Sequence, residues 1–284
     1  MLVQSSTILE NNSLYFSYFF DIINDGDIMI CPICKEKLDK QNNVFRCINN
    51  HSFDISKYGY VNLLTSKPNA GDNKELVNAR VAFLNAGYYS TLAIVIRDIF
   101  QEYNASKILD AGCGTGYYLS FLSDFDVYGV DISKLAIEKA AKTNKKGTFV
   151  VASTLNVPFE NEFFSGILSV FAPKFENEYF RLLEKDGIVV IVLPGKEHLF
   201  ELKQAIYDNP YYNKEATVNW KKFSFLEKRN VKQIVSINQE HLLTLFSMTP
   251  YAYKTKSEDV NKLNHLNELS VTLDFDIFIL KKAN

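Results

Sequence analysis

From residue 107 onwards, short apolar runs rich in β-branched residues alternate with segments of helical periodicity. The runs lie at 107–112, 127–131, 148–153, 166–171 and 187–194. Helices are predicted between them at 116–124 and at 133–142, where Ser133 is placed to cap the first turn. This alternation predicts an α/β fold with a mostly parallel sheet and helices on both faces.

The segments on either side of this region follow different patterns. Residues 75–103 have apolar positions at helical spacing, which the sequence NAGYY at 85–89 interrupts, so two helices are predicted. Near the end of the chain, 230–237 and 271–280 are strand-like and 239–248 is helical. The two late strands are expected to add antiparallel pairs at one edge of the sheet.

Composition and charge are those of a soluble globular protein. Hydrophobic residues make up 47% and charged residues 23% of the 284 positions, and the net charge of −2 does not indicate a nucleic-acid-binding protein. The apolar run at 14–20 is too short to span a bilayer, and no Lys or Arg precedes it as in a signal peptide. With four cysteines and no disulfide pattern, the sequence predicts a cytoplasmic protein that does not enter a membrane.

The first 28 residues differ in charge from the rest of the chain. They contain four acidic residues and no Lys or Arg, whereas the remainder holds 31 basic and 29 acidic residues. Met29 stands just before the first cysteine motif and is an alternative start. We therefore interpret residues 1–28 as a misassigned or dispensable extension, whose deletion should leave folding and activity intact.

A metal-site spacing follows this extension. Cys31 and Cys34 form a C-x2-C pair, and Cys47 and His51 lie within the next 17 residues. Three thiolates and an imidazole make a closed tetrahedral set for zinc, which predicts one structural site without an open position for a reactive water. A redox-active C-x2-C pair is the competing functional interpretation, but it leaves the other two residues unexplained. The remaining alternative is four unrelated loop residues.

A glycine-rich loop follows the first predicted strand of the α/β region. Gly112, Gly114 and Gly116 stand between a strand and a helix, with Asp110 just before them. Asp131 ends the next strand, where a carboxylate can accept hydrogen bonds from the ribose hydroxyls of an adenosine cofactor. The loop is similar to motif I of class I S-adenosylmethionine-dependent methyltransferases. A pyrophosphate-binding loop of a dinucleotide enzyme and a plain tight turn are the alternatives.

Taken together, the motifs resemble those of the zinc-knuckle methyltransferases that act on N1 of a guanine in large-subunit (23S) ribosomal RNA. The resemblance runs from about residue 29 to 255. Its motifs are, in order, CPIC (31–34), GYVNLL (59–64), FLNAGYY (83–89), LDAGCGTGYY (109–118), GVDISKLAI (129–137), FAP (171–173), PGKEHLFELKQAIY (194–207) and MTPYAY (248–253). It implies a zinc-binding domain at 29–66, a helical linker at 67–104 and a Rossmann-like S-adenosylmethionine-dependent domain at 105–284.

The resemblance also implies roles for individual residues. The zinc ligands would be the four residues named above, and the cofactor pocket would be lined by Tyr89, Tyr117, Tyr118, Leu119 and His198. A sulfonium centre is attracted to aromatic faces, which agrees with the tyrosines. Packing aromatics and an ordinary surface histidine are the alternative interpretation. Many class I enzymes place an acidic residue after the third strand, but Ser153 and Thr154 stand there, so the adenine contact is unassigned.

The implied substrate is a guanine in a hairpin loop, because N1 is engaged in pairing within a duplex. Phe171 is a candidate for stacking on that base, core packing being the alternative, and no residue stands out as a general base. Two mildly basic stretches, near the cysteines and at 220–232, are candidates for phosphate contacts or solvated faces. A homodimer would span an RNA better than a monomer. The competing functions are a methyltransferase for a small metabolite and a non-catalytic zinc adaptor.

Overall fold

The computed structural model describes residues 28–65, 74–252 and 254–283. The extension predicted at 1–28 therefore lies outside the described residues apart from Ile28, as does the Pro- and Gly-containing connector at 66–73. No single helix in these described ranges is long and apolar enough to cross a membrane. The first two helices pass such a test only as a pair, bent by 77°.

The N-terminal region forms a small antiparallel sheet. Its strands are β1 (Asp39–Gln41), β2 (Val44–Arg46) and β3 (Ser52–Asp54), paired in that order. A fourth short strand, β4 (Val61–Asn62), leaves this sheet and pairs in parallel with a strand of the main sheet. The motif at 59–64 therefore adds a strand to the edge of the main sheet, and the sequence pattern does not predict this strand.

Two helices connect this region to the α/β part, as predicted. They are α1 (Lys74–Asn85) and α2 (Ser90–Glu102). Residues three and four apart on α2 are buried, because they form its single apolar face: Leu92, Ala93, Ile96, Ile99 and Phe100. Gly87 has a φ of +85° in the turn between the helices, a conformation that glycine adopts without steric cost.

The α/β part contains the predicted strands and several short helices. In chain order these are β5 (Lys107–Ala111), β6 (Asp126–Asp131), α3 (Lys134–Thr143), β7 (Thr148–Val151), β8 (Phe164–Val170), α4 (Glu176–Leu182), β9 (Leu183–Pro194), α5 (Phe200–Ile206), β10 (Phe223–Asn238), α6 (Gln239–Ser247), α7 (Ser257–Asn261) and β11 (Glu268–Lys282). The predicted cap of α3 is confirmed, since the Ser133 hydroxyl accepts a hydrogen bond from the Ala136 amide at 3.3 Å.

The main sheet has eight strands in the order β10-β11-β9-β8-β5-β6-β7-β4. Strands β4 to β9 pair in parallel, whereas β10 and β11 add the antiparallel pairs predicted for one edge. The run 188–192 in β9 is fully apolar because helices cover both faces of a central parallel strand. This is the mostly parallel, Rossmann-like fold that the sequence predicts.

The helix predicted at 116–124 is wrong. Only a single turn of 3-10 helix forms there, at Tyr118–Phe121. The Ser120 hydroxyl donates to the Tyr117 carbonyl oxygen at 2.6 Å, and β6 already begins at residue 126. A local side-chain hydrogen bond therefore stabilises a tight turn at the place where a longer helix was predicted.

The zinc-knuckle region packs against the main sheet. Met29 is 1% exposed and forms an isolated β-bridge with Phe159, which is fully buried in the same apolar cluster. The Ile30 amide donates to the Pro158 carbonyl oxygen at 3.1 Å, and Lys37 forms an ion pair with Glu160 at 2.7 Å. The two parts thus share one hydrophobic core.

Candidate functional site

The four predicted metal ligands lie together, two of them before β1 and two in the turn between β2 and β3. Their ligand atoms all lie within 4.8 Å of one another, with Cys34 Sγ 3.6 Å from Cys47 Sγ and Cys47 Sγ 3.4 Å from His51 Nδ1. Tetrahedral zinc with bonds of about 2.3 Å would hold its sulfurs about 3.8 Å apart, close to the observed spacing. The residues fit a structural zinc ion. All four predicted ligands join one cluster, so the redox-pair alternative is not supported.

Local hydrogen bonds favour the thiolate form of one metal ligand, Cys34. A hydrogen bond with the Asn49 side chain, followed by one with the Glu36 backbone, lowers the pKa of Cys34 to about 6. Burial instead raises the pKa of Cys31. Metal ligands must be thiolates, so a bound cation would compensate the cost of ionising the buried thiol.

The glycine loop brings the backbone close to neighbouring elements at the carboxyl end of β5. A Cβ atom on Gly112 would lie 2.6 Å from the Cβ of Ala172, and one on Gly116 would lie 2.9 Å from the Cβ of Ala140. Both glycines have positive φ angles, of +93° and +76°. Glycine is therefore required by conformation and by space.

Two carboxylates flank this loop in different environments. Asp131 accepts backbone hydrogen bonds from Gly114 at 2.9 Å and from Ser133 at 2.8 Å, which orient its carboxylate at the end of β6. Asp110 is 1% exposed and its Oδ2 has no hydrogen-bond partner. Burial, assisted by the charge of Asp131, raises the pKa of Asp110 to about 8. Such a buried, unsatisfied oxygen is suited to a donor or cation from a ligand.

Two adjoining cavities open along the carboxyl edge of the sheet. The smaller, of about 520 Å³, is lined by Gly112, Asp131, Ile132, Leu135 and Thr154 among others. The larger, of about 630 Å³, is lined by Tyr89, His198, Lys203, Tyr211 and Met248 among others. Arg80, Phe171 and Ala172 line both cavities. The cavities therefore meet next to the switch point between β5 and β8, where ligands bind in open α/β sheets.

The predicted cofactor residues divide between these cavities and the wall behind them. Gly112 and Asp131 line the smaller cavity, whereas Tyr89 and His198 line the larger one. The others line neither cavity: Asp110, Gly114, Gly116, Tyr117, Tyr118 and Leu119. Leu119 is fully buried, so its side chain belongs to the core. The contacts of all ten residues with a cofactor stay a prediction, and Tyr89 and His198 lie in the cavity away from Gly112 and Asp131.

His198 is a buried residue, which disagrees with the alternative of an ordinary surface histidine. It is 9% exposed, and its Nδ1 accepts a hydrogen bond from the Asp274 amide at 3.2 Å. Its ring proton must therefore lie on Nε2. Burial lowers the pKa of His198 to about 4, an effect that Asp274 opposes and Lys203 strengthens. The imidazole is therefore neutral near pH 7, and its Nε2–H can donate a hydrogen bond to a ligand.

Phe171 is 44% exposed and has a φ of +52° at the end of β8. Its ring lies in the wall between the cavities and also packs against the buried Phe275, with ring centroids 5.9 Å apart, so stacking on a base stays a prediction. A bulky residue with positive φ is strained, and such strain is typical of functional sites.

Several lining residues were missed in the sequence. Ile132 and Leu135 are 49% and 38% exposed on either side of the α3 cap, where they offer an apolar surface to a planar ring. Lys203 is a lone lysine on the apolar face of α5, between the buried residues Leu202 and Ile206. A charged residue on an apolar face was the signal that could have identified it.

The basic stretch at 220–232 is largely neutralised within the chain. Lys228 pairs with Asp276 at 2.9 Å, Arg229 with Glu102 at 2.9 Å, and Lys232 with Glu197 at 2.8 Å. The cations of this stretch therefore offer less charge to a phosphate than the sequence suggests.

Comparison with known families assigns both parts of the chain. Residues 29–68 match the zinc-ribbon family described as RlmA, N-terminal, and residues 108–187 match a family described as a methyltransferase domain. The fold, the cavities and the glycine loop thus define a class I S-adenosylmethionine-dependent methyltransferase that carries a zinc ribbon.

Three relatives place the chain more closely. YxjB of Bacillus subtilis (strain 168), a candidate 23S rRNA (guanine-N(1)-)-methyltransferase, is 31% identical over 90% of this chain and 97% of its own length. A second candidate 23S rRNA (guanine-N(1)-)-methyltransferase, from Micromonospora griseorubida, is 29% identical over 79% of this chain and 86% of its own length. The 23S rRNA (guanine(748)-N(1))-methyltransferase of Streptomyces fradiae is 33% identical over 62% of this chain and 66% of its own length. The chain belongs to this family of zinc-ribbon 23S rRNA guanine-N1-methyltransferases.

Proposed function

We propose that the protein transfers a methyl group from S-adenosylmethionine to N1 of a guanine in a hairpin loop of large-subunit ribosomal RNA. The observation that carries this proposal is the pair of adjoining cavities separated by Phe171 and Ala172. One cavity suits a methyl donor and the other suits a methyl acceptor, so the two ligands would meet at this wall. The names of the relatives supply the expected acceptor.

The smaller cavity has the residue types that an adenosyl group needs. Asp131 would bind the ribose hydroxyls, and Ile132 and Leu135 would contact the adenine ring. Asp110, with its unsatisfied Oδ2, would bind the cofactor's ammonium group. S-adenosylmethionine supplies an activated methyl group on a sulfonium. The protein's task is then to hold the guanine in line with that group.

The larger cavity suits a nucleobase that has left its stack. Phe171 is an exposed aromatic at its inner wall, and Tyr211 is 58% exposed among its lining residues. Base–aromatic stacking contributes about 1–3 kcal/mol per base. A guanine in a loop costs less to extrude than a paired one, which favours a hairpin as the substrate.

The small-metabolite alternative is less well supported. No Asp or Glu lines the larger cavity in the part of the chain that the structure describes, so it does not have the acidic surface expected of that alternative. The non-catalytic adaptor is disfavoured by the intact loop and by the conformations of its glycines. A cytoplasmic location and a homodimer that spans the RNA complete the proposal.

Primer extension on ribosomal RNA tests this function directly. A methyl group on N1 blocks base pairing and stops reverse transcriptase at that guanine. RNA from wild-type cells should give a stop that is absent in a gene-deletion strain and returns on complementation. An identical pattern of stops in both strains would reject the proposal.

A further inference from the structure

Lys203 is a buried cation in the larger cavity. Its side chain is 2% exposed, although lysines are rarely buried without an ionic partner. The ammonium donates to the Tyr211 carbonyl oxygen at 3.1 Å and to Asn213 Oδ1 at 2.7 Å. In the described residues no carboxylate forms an ion pair with it. Two of its three hydrogens have oxygen acceptors, and the rings of Tyr211 and Tyr251 have centroids 4.5 and 5.8 Å from Nζ. The third hydrogen has no oxygen acceptor among the described residues, so a ligand oxygen can take the place of the weaker ring contacts.

The rest of the cavity is also poor in negative charge. Its charged lining residues are Arg80, Lys203 and Lys254, and no acidic side chain joins them among the described residues. Burial lowers the pKa of Lys203, so the protein holds this cation at a cost in desolvation. A ligand that gains negative charge in the cavity would repay that cost.

The methylation of guanine develops such a charge. N1 of neutral guanine carries a hydrogen, and its loss leaves negative charge shared between N1 and O6. Among the residues that the structure describes, no carboxylate lines this cavity to take the proton. His198 does not take it either, because its Nδ1 already accepts a hydrogen bond from Asp274 and its Nε2 carries the ring hydrogen. This leaves water as the proton acceptor in the step proposed below.

We propose that Lys203 is a catalytic residue that donates a hydrogen bond to O6 of the acceptor guanine and stabilises the negative charge formed on it. The inference rests on the proposed function. N1 gives its proton to water, its lone pair forms the bond to the methyl carbon, and the electrons of the broken carbon–sulfur bond remain on sulfur. A fixed cation at O6 favours the first of these changes and therefore lowers the barrier.

Three other roles for Lys203 make different predictions. It could only hold the loop that contains Tyr211 and Asn213, it could bind the carboxylate of the methyl donor, or it could bind an RNA phosphate. Loss of the first role would lower stability. Loss of the second would weaken binding of S-adenosylmethionine, and loss of the third would weaken binding of RNA.

The test compares Lys203→Met and Lys203→Arg with wild type. Lys185→Met is the matched control, because it removes an exposed lysine near the start of β9, whereas α5 with Lys203 follows the end of that strand. Single-turnover methylation of large-subunit RNA from a gene-deletion strain is followed from about pH 6 to about pH 9. Calorimetry gives the affinity for S-adenosylmethionine, filter binding gives that for RNA, and thermal unfolding gives stability.

The surroundings of Lys203 matter for this pH series. The rings of Tyr211 and Tyr251 lie beside its ammonium, and the other charged or titratable residues of the cavity lining are Arg80, His198 and Lys254. Of the elements packed against α5, β11 carries Asp274 and the 3-10 turn at Lys262–His265 carries Lys262. With a pKa of about 4, His198 does not change its charge over this range. All these groups are retained in each variant, so a change in the pH profile reports the loss of the lysine.

We expect Lys203→Met to lower the methylation rate about 100-fold or more near neutral pH, with both affinities unchanged. Its rate should rise with pH towards that of wild type, because hydroxide removes the N1 proton without the help of the cation at O6. Lys203→Arg should keep part of the rate, and Lys185→Met should match wild type. An unchanged rate, an unchanged pH profile or a loss confined to either affinity or to stability would overturn the inference. If wild-type protein gives no 1-methylguanosine, the proposed function itself fails.

Discussion

Phe171 illustrates how single residues at this site depart from ordinary packing. Its backbone has a φ of +52°, its ring is 44% exposed, and the ring centroid lies 5.8 Å from that of His198. An L-residue in this conformation costs roughly 1–2 kcal/mol. The position retains a strained aromatic where glycine would be favourable, which agrees with a role in binding the acceptor base.

Two substitutions at this position separate strain from function. Phe171→Gly should be more stable than Phe171→Ala by about 1 kcal/mol, because both lose the ring and only glycine relieves the backbone. Both variants should methylate RNA more slowly than wild type. Urea denaturation followed by Trp220 fluorescence gives the stabilities. Equal stability of the two variants would show that the backbone is unstrained, and full activity of either would remove the ring from the site.

Asp110 gives the site a distinct dependence on pH. The unfolded chain ionises this carboxyl near its ordinary pKa of 3.8, whereas the folded protein keeps the proton up to about pH 8. The folded state thus binds more protons between these values, and stability falls as pH rises through that window.

Asp110→Asn removes this titration. The free energy of unfolding of wild type minus that of Asp110→Asn should therefore decrease as pH rises from about 4 to about 8 and then level off. Urea denaturation at a series of pH values in the absence of cofactor measures the difference. A difference in the free energy of unfolding that stays constant over this pH window would contradict the raised pKa. Asp98→Asn, which changes an exposed carboxylate, serves as the control.

At this scale the sequence predicted some residues and missed others for physical reasons. The four zinc ligands follow from spacing alone, because structural zinc sites in small domains take their donors from closely spaced positions in the chain. Asp131 and Gly112 follow from their place at strand ends. Lys203 and Tyr211 were missed, because they reach the cavity from elements whose positions depend on tertiary packing.

At the scale of elements, the small zinc-binding sheet of β1, β2 and β3 packs against the main sheet through a shared apolar cluster. Phe45 of β2 is 3% exposed and belongs to the same apolar cluster as Val130 and Phe159. A segment this small cannot fold on its own apolar surface, so the metal contributes to its stability. Loss of the metal is then expected to expose part of the core next to β7 as well.

Metal removal should therefore destabilise the whole protein. We expect one zinc per chain in the wild type and no bound zinc in Cys47→Ser. Removing the metal from the wild type should lower its free energy of unfolding by about 4 kcal/mol, relative to wild type in free zinc at 1,000 times the dissociation constant. Cys113→Ala keeps all four ligands and should retain the zinc. Elemental analysis and thermal unfolding with and without chelator measure both effects. Identical unfolding curves with and without chelator would contradict a structural role.

The elements themselves were predictable where periodicity is strong. The strands β5 to β9 and the helices α1 and α2 follow from apolar runs and from helical spacing. The 3-10 turn at Tyr118–Phe121 was predicted as a longer helix, because the spacing of its apolar residues is helical and only the nearness of β6 limits its length. The two-residue strand β4 carries too few residues to show a period.

At the scale of the whole molecule, the chain joins a zinc ribbon to a methyl-transfer cleft through one core. The ribbon contacts the segment 156–160 that follows β7, for example through the hydrogen bond of 3.0 Å from Lys35 Nζ to Asn156 Oδ1. That segment continues from Thr154 in the smaller cavity. A ribbon held in this way presents a fixed surface beside the cleft, which suits a large folded substrate better than a small metabolite.

The most direct test of this account is a nucleoside analysis of RNA methylated in vitro. Purified protein is incubated with S-adenosylmethionine and with large-subunit RNA from a strain that lacks the gene, and the RNA is digested and separated with detection by mass. The account predicts that 1-methylguanosine appears and approaches one residue per RNA molecule. It also predicts that protein heated to unfold it forms none. Methylation of another nucleoside, or no methylated product from protein that binds both zinc and S-adenosylmethionine, would contradict it.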